Sequence, residues 1–339
     1  MEQKKILKIK PLGFQWETLD PFIFCVHHRD EYPRGNAEMG PAASLKGRNI
    51  GQDFTVKDGW RMYHGQTIPG FPYHPHRGFE TVTVVKEGLV DHTDSLGAAG
   101  RFGKGDVQWM TAGKGVQHSE MFPLVHQDKE NPMELFQIWL NLPKASKFVE
   151  PYFKMLWEDS IPVLKETDNK GKSIEINIIA GSISNLHAPG PTPDSWAANP
   201  EHEVAILTIK LEAGAKWILP KASADVNRTL YFYKGQGLKI EDEIIPAYHS
   251  VQVNAATEIL LQAENEDCFL LMLQGKPIDE PVVQYGPFVM NSKAEIQEAF
   301  EDFQRTQFGG WPWPKHEQAH DRNKGRFALY ADGTEELKS

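Results

Sequence analysis

Residues 70–120 read GFPYHPHRGFETVTVVKEGLVDHTDSLGAAGRFGKGDVQWMTAGKGVQHSE. The stretch opens with His74-Pro75-His76 and closes with His118-Ser119-Glu120. In a β-strand, residues i and i+2 point to the same face of the sheet. His74 therefore shares a face with His76, and His118 shares one with Glu120. Two such strands side by side bring four ligand-type side chains to one point. Three imidazoles and a carboxylate, with no thiolate, suit a borderline divalent metal: Fe, Mn, Ni, Cu or Zn. A lone His-x-His is a weak signal, because histidines recur on surfaces by chance. The His-x-Glu that follows, also behind a Gly-rich turn, turns the pair into a metal-site expectation.

The residues between the two pairs set the fold class. Residues 81–85 are β-branched throughout and end at Glu87-Gly88, a turn signal. Residues 89–93 resume the strand pattern, 94–97 turn again, and 106–110 form another short strand. Gly113 and Gly115 break the chain before His118, and the run 136–142 stops at Pro143. Short strands joined by Gly turns predict a barrel or jelly roll, whose antiparallel sheets can return the second pair to the first.

Outward from this core, residues 6–9 read as a short strand and 20–26 as a buried one. Residues 27–70 read as long loops folded over the first domain, with 51–64 as a further strand. Residues 143–173 are charged and Pro-interrupted, which predicts a linker. Residues 181–200 (GSISNLHAPGPTPDSWAANP) form a long loop inside a second run of strands, 174–273. The two runs show a weak repeat: residues 83–88 match 230–235 in pattern. Carried back, that register puts Lys221 and Ser223 where the first half has His74 and His76. His249 stands alone, so one metal site per chain is expected. Ser292-Lys293-Ala294-Glu295 is a capping box, and Ile296, Ala299, Phe300 and Phe303 follow at helical spacing. The expected organisation is 1–150, a metal-binding barrel; 151–173, a linker; 174–310, a barrel without ligands plus a helix over 293–305; and 311–339, a peripheral tail.

Other side chains near the pairs carry weaker expectations. Glu80 shares the face of His76 in a regular strand, and reads as a structural acid or a competing ligand. His92, near a turn, reads as a surface residue. Gln137 and Trp139 lie in a strand that could cross the pocket, with Trp139 packing in the core. Phe71, Phe79 and Trp109 fit core packing or stacking on an aromatic ligand.

Composition narrows the function classes. Of 339 residues, 40% are hydrophobic and 24% charged, enough to bury a core, and 28 Gly with 23 Pro favour many turns and an all-β chain. The net charge of −10 argues against direct binding to nucleic acid or to an anionic membrane surface. Cys25 and Cys268 are too few for a disulfide framework and read as reduced buried thiols. No apolar run has signal-peptide or transmembrane length, so a cytoplasmic location is expected.

Gly70, His74-x-His76, Glu80 and Gly88, then Gly105, Gly113, Gly115 and His118, resemble the two-part motif of the cupin superfamily. The segments HPHRGFETVT, GDVQWMTAGKGVQHSE, FQIWLNLP and EPVVQYGPFVMN are similar to those of the pirin family, in the same order. They are densest over 70–143 and reappear at 280–291. The resemblance implies an all-β chain of two tandem cupin (jelly-roll β-barrel) domains with a short C-terminal helix. It implies a metal in the N-terminal barrel only, Fe(II) first, with Mn, Ni, Cu or Zn as alternatives. The implied ligands are His74, His76, His118 and Glu120, with Glu80 outside the set. The implied activity is quercetin 2,3-dioxygenase-type ring cleavage of a flavonol by O2, with Glu120 also the candidate catalytic base. The second reading is a redox-sensing regulator that binds a transcription factor or metabolic enzyme without turnover. A cupin-type sugar isomerase fits less well, because those lack the pirin segments. The loops 27–70 and 181–200 and the tail after 310 look longer than in typical pirins, and could cover a pocket mouth or build an interface.

Overall fold

A computed structural model describes residues 4–338. The chain is mostly β, in two compact units of cupin type, and its one α-helix among the described residues is Lys293–Thr306. One unit comprises residues 26–158 and 280–339, the other 1–25 and 159–279.

The first unit is built on two sheets. One runs Tyr152–Leu156, Val107–Thr111, Phe79–Glu87 and Asn131–Asn141, then Phe22–Tyr32, whose residues from Val26 onward belong to this unit. The other runs Glu335–Lys338, Arg326–Leu329, Ala99–Gly103, Leu89–Asp94, Val116–Met121 and Gly70–His76. Their inward side chains, among them Val85, Leu135 and Phe153 from one sheet and Val90, Phe102 and Ala328 from the other, share one buried cluster. Residues 33–69 pack over it as irregular chain, so the strand expected at 51–64 is reduced to the isolated bridges Asp53↔Tyr63 and Lys57↔Trp60. Trp60, Met62 and Tyr63 are nonetheless buried.

Tyr63 also ties this loop to the Phe22–Tyr32 strand. Its hydroxyl donates to Asp30 at 2.6 Å and lies 2.8 Å from His28 Nδ1, and Arg61 binds both oxygens of Asp30. Burial holds the His28 imidazole down at about 3, against 6.5 when solvated. Between those two values the unfolded chain takes up a proton that the folded chain refuses. Stability from this group is therefore complete above 6.5 and is lost as the pH falls toward 3. His28→Phe is expected to flatten the acid limb by about 1.4 kcal/mol per pH unit. Urea titrations of both proteins at several pH values check this; parallel acid limbs would refute it.

The second unit is a seven-stranded sheet and a four-stranded sheet. The larger runs Ile6–Pro11, His249–Val253, Asn227–Lys234, Cys268–Gly275, Ala205–Leu211, Ser173–Ala180 and Val163–Thr167. The smaller runs Lys216–Leu219, Ile259–Ala263, Leu238–Ile240 and Glu243–Ile245. Alternating residues such as Ile176, Ile178, Leu207, Ile209, Leu230 and Phe232 form its core. Each unit has a long strand ending at a left-handed glycine, Gly88 (φ 82°) in one and Gly235 (φ 107°) in the other, as the repeat predicts.

Four boundaries differ from the sequence expectation. Residues 6–11 pair with His249–Val253 in the second unit, so this segment does not belong to the first barrel. The expected linker is largely strand: Tyr152–Leu156 extends a sheet of the first unit, Val163–Thr167 one of the second, and the division falls between residues 158 and 159. The helix belongs with the first unit. Ser292 caps it as the capping box predicts, accepting from the Glu295 amide. Its Ile296 and Ala299 pack on Phe288 and Met290, and Arg77 binds its Asp302 at 2.9 Å. The tail is not peripheral. Arg326–Leu329 pairs with Ala99–Gly103, and Phe327 and Ala328 are buried.

Candidate metal centre

The strands Gly70–His76 and Val116–Met121 pair antiparallel, with His74 opposite His118 and Phe71 opposite Glu120. The register shifts between Phe71 and His74. Two glycines permit close approaches here, Gly70 that of the partner strand and Gly115 that of the C-terminal segment. A Cβ on Gly70 (φ 127°) would lie 2.4 Å from the Glu120 carbonyl, and one on Gly115 (φ 135°) would lie 2.7 Å from the Phe308 ring. Arg77 and Gln117 flank the ligand strands and hold the C-terminal segment over them, Gln117 donating to the Gln307 carbonyl at 2.7 Å.

The three histidines converge as the strand spacing predicts. His74 Nε2 lies 3.1 Å from His76 Nε2 and 3.1 Å from His118 Nε2. One ring nitrogen from each residue fits within a cluster no wider than 4.8 Å. His76 and His118 are buried and His74 is half-buried. Nδ1 of His74 lies 2.8 Å from the Pro72 carbonyl, and Nδ1 of His76 lies 3.4 Å from the Pro287 carbonyl. A carbonyl only accepts, so both Nδ1 atoms carry the proton and both Nε2 atoms present lone pairs. Burial keeps the rings neutral, at about 4 for His74 and well below the usual imidazole range for His76 and His118. Two lone pairs 3.1 Å apart with no proton between them repel, and a shared cation removes that repulsion. The donor set fits a borderline divalent metal.

Glu120 is close to this cluster but outside it. Its carboxylate lies 3.8 Å from His118 Nε2, accepts from Gln137 Nε2 at 2.8 Å, and lies 3.1 Å from the Thr83 hydroxyl. Thr83 and Gln137 are cross-strand neighbours on the facing sheet, so Glu120 reaches across the barrel to them. Burial raises its pKa, partly offset by His92 and by the hydrogen bonds of Gln137 and Thr83.

Other sequence candidates fall into place around these four. Glu80 is fully buried on the adjacent strand and accepts from Thr111 at 2.7 Å, a structural acid. His92 is buried rather than at the surface. It stacks on Phe153, contacts His118 at 5.5 Å between ring centres, and lies 3.3 Å from Asp94. The reason is that both faces of the Leu89–Asp94 strand are covered, one by the barrel interior and the other by residues 320–324. Trp109 and Phe79 are core. Trp139 is half-buried, packs on Phe79 at 4.2 Å, and stands edge-on to His76 at 5.4 Å, so it lines the centre rather than the deep core. Phe71 is half-buried and its ring is 6.4 Å from that of His74. Pro287 and Thr83 are not among the sequence candidates. Pro287 acts through a backbone carbonyl and so leaves no side-chain signal, but it lies within the segment 280–291 that resembles the family.

Comparison with known proteins gives the family. Residues 10–140 match the Pirin family model and 206–309 the model of the Pirin C-terminal cupin domain. A Pseudomonas aeruginosa protein named "Putative quercetin 2,3-dioxygenase" is 36% identical over 239 residues, 70% of this chain and 79% of that one. The chain belongs to the pirin family. Pirin-like protein 2 of Arabidopsis thaliana is 36% identical over 243 residues, 69% of each chain. This pirin is also similar to a crystal structure of quercetin 2,3-dioxygenase from Acinetobacter baumannii. The TM-score is 0.71 at 27% identity, covering 91% of this chain and 99% of that one. No helix among the described residues of this pirin is long and apolar enough to cross a membrane.

Proposed function

We propose that this pirin is an Fe(II)-dependent dioxygenase that opens the central ring of a flavonol, giving a depside and carbon monoxide. The observation that carries the reading is the convergence of three neutral imidazoles beside a buried carboxylate. His74, His76 and His118 would hold the metal, with Glu120, 3.8 Å from His118 Nε2, as a fourth ligand. Bound Fe(II) would supply positions open to O2 and to the substrate's 3-oxygen, and would relay electrons from the flavonol to O2.

The protein's own residues do the rest. Glu120 is buried and raised in pKa, so it is suited to take the flavonol 3-hydroxyl proton. Gln137 and Thr83 fix the orientation of the carboxylate and share the charge that it carries before the proton arrives. Trp139 offers a half-buried aromatic face beside His76 for the flavonol rings.

The test is anaerobic loading with Fe(II), followed by quercetin and O2, reading flavonol absorbance and carbon monoxide. Turnover is expected in the wild type. Glu120→Gln keeps a side chain of the same shape but cannot take the proton, and is expected to lower kcat by about 10²–10⁴-fold. If that variant also loses metal, Glu120 is a ligand; if it keeps metal, the base role stands alone. No turnover by fully iron-loaded wild-type protein would overturn the enzyme and favour the redox-sensing regulator.

A further inference from the structure

The second unit has no counterpart of the His-x-His pair, yet it is not without a pocket. It holds a cavity of about 480 Å³. Leu207, Leu219 and Met272 give it an apolar wall, and the long 181–200 loop forms the opposite side through Ile183, Ala188 and Pro189. Arg228 also lines it, although that residue is only 3% exposed.

Arg228 is aimed and held. It lies opposite Gln274 in the strand pairing, its Nε donates to Gln274 Oε1 at 2.7 Å, and its Nη1 donates to the Pro220 carbonyl at 2.8 Å. Gln274 is fixed in turn, donating to the Glu203 carbonyl at 3.0 Å. A guanidinium has five N–H donors. Nη2 and the second hydrogen on Nη1 find no acceptor among the described residues, and those donors form the open end of the fork. No carboxylate among the described residues lies within ion-pairing distance. Glu203 is the nearby acid, and its carboxylate is engaged by the Ser223 amide and hydroxyl. Burial lowers the Arg228 pKa only to about 10, so the group is charged at neutral pH. A buried cation without a partner is costly, by several kcal/mol in general. The two hydrogen bonds of Arg228 use only two of its five donors, and an anionic ligand would take those that face the cavity.

We propose that this cavity binds a small organic carboxylate, its anionic head on the open end of Arg228 and its body against Leu207, Leu219 and Met272. The planar fork matches a carboxylate in two parallel hydrogen bonds. One buried cation with Glu203 nearby favours a monoanion over phosphate. The volume falls in the range of small-molecule sites, about 300–1,000 Å³. The proposal gives the 181–200 loop a role, as the wall that closes the site. It rests on the second unit alone and is independent of what the metal centre does.

The test is calorimetric titration of the full-length, metal-loaded protein with benzoate. Benzamide serves as the neutral isostere and inorganic phosphate as the competing anion. Saturable binding of benzoate at one site is expected, with none of benzamide, and the isotherm should survive chelation of the metal. Arg228→Gln is expected to weaken benzoate by at least about tenfold. Should that variant fail to fold, Ala222→Phe decides the matter, because it narrows the cavity from its rim while leaving the Arg228 hydrogen bonds intact. Loss of benzoate binding in Ala222→Phe supports the site. Binding unchanged in either folded variant, binding lost on chelation, equal binding of benzamide, displacement by equimolar phosphate, or no binding at all would each overturn it.

Discussion

His74→Ala combined with His118→Ala is expected to give a folded protein that purifies without metal. The two residues face each other across the strand pair, and each contributes an Nε2 to the cluster. What remains is His76 and the Glu120 carboxylate. Loss of a group that only orients a ligand typically costs about 10–100-fold in metal affinity, so loss of two ligands should cost far more. Element analysis after reconstitution with Fe(II) should find less than a tenth of an equivalent, against one equivalent in the wild type. Far-UV circular dichroism, dominated by strands outside the site, should be unchanged. A folded double variant that still carries one equivalent would mean that the metal sits elsewhere, and the ligand set would be wrong. The same variant should keep benzoate binding in the second unit, which separates the two sites experimentally.

The ladder behind that prediction was legible in the sequence because its signal is local and periodic. His-x-His and His-x-Glu obey the two-residue period of a strand, and the β-branched run 81–85 with its glycine turns indicates the sheets between them. The weaker repeat sets Lys221 and Ser223 against His74 and His76, but only the histidines lie within a strand. Lys221 and Ser223 lie between the strands Lys216–Leu219 and Asn227–Lys234, where Ser223 binds Glu203 and Lys221 is exposed. The boundaries were not legible, because they depend on where short segments return. Residues 6–11 join a strand at 249–253, and 326–329 join one at 99–103. Strands of four to six residues carry too little pattern to name their partner. Backbone acceptors are silent in the same way. The Pro287 carbonyl that faces His76 could be any residue's carbonyl, and the burial of His92 depends on a chain segment more than 200 residues away.

The most consequential of these silent contacts is at Arg101, and its removal is expected to detach the tail and destabilise the metal-binding barrel. Asp91 and Arg101 face each other on neighbouring strands and form a two-point ion pair, with Nε to Oδ1 at 2.6 Å and Nη2 to Oδ2 at 2.8 Å. Both are essentially without solvent exposure. The tail completes the arrangement: Arg101 donates to the carbonyls of Asp321 and Lys324 at 2.8 and 2.7 Å, and the His320 amide donates to Asp91 at 2.8 Å. Arg101→Met keeps most of the stem volume but leaves Asp91 charged and buried, with the tail carbonyls unpaired. Breaking a buried pair from one side costs about 3–5 kcal/mol. The double variant Arg101→Met, Asp91→Leu removes the stranded charge and should recover much of that loss, while the tail carbonyls still lack their donor. Urea unfolding measures the first effect, and limited proteolysis measures the second as cleavage within 311–325 of otherwise folded protein. Asp91 lies on the strand that also pairs with Val116–Met121, opposite Met121, and His92 and Asp94 on that strand pair with Glu120 and His118. Loosening at Arg101 should therefore reach the metal centre, lowering iron retention in the single variant more than in the double. An Arg101→Met protein with wild-type stability and an uncleaved tail would refute the reading and return the tail to the periphery.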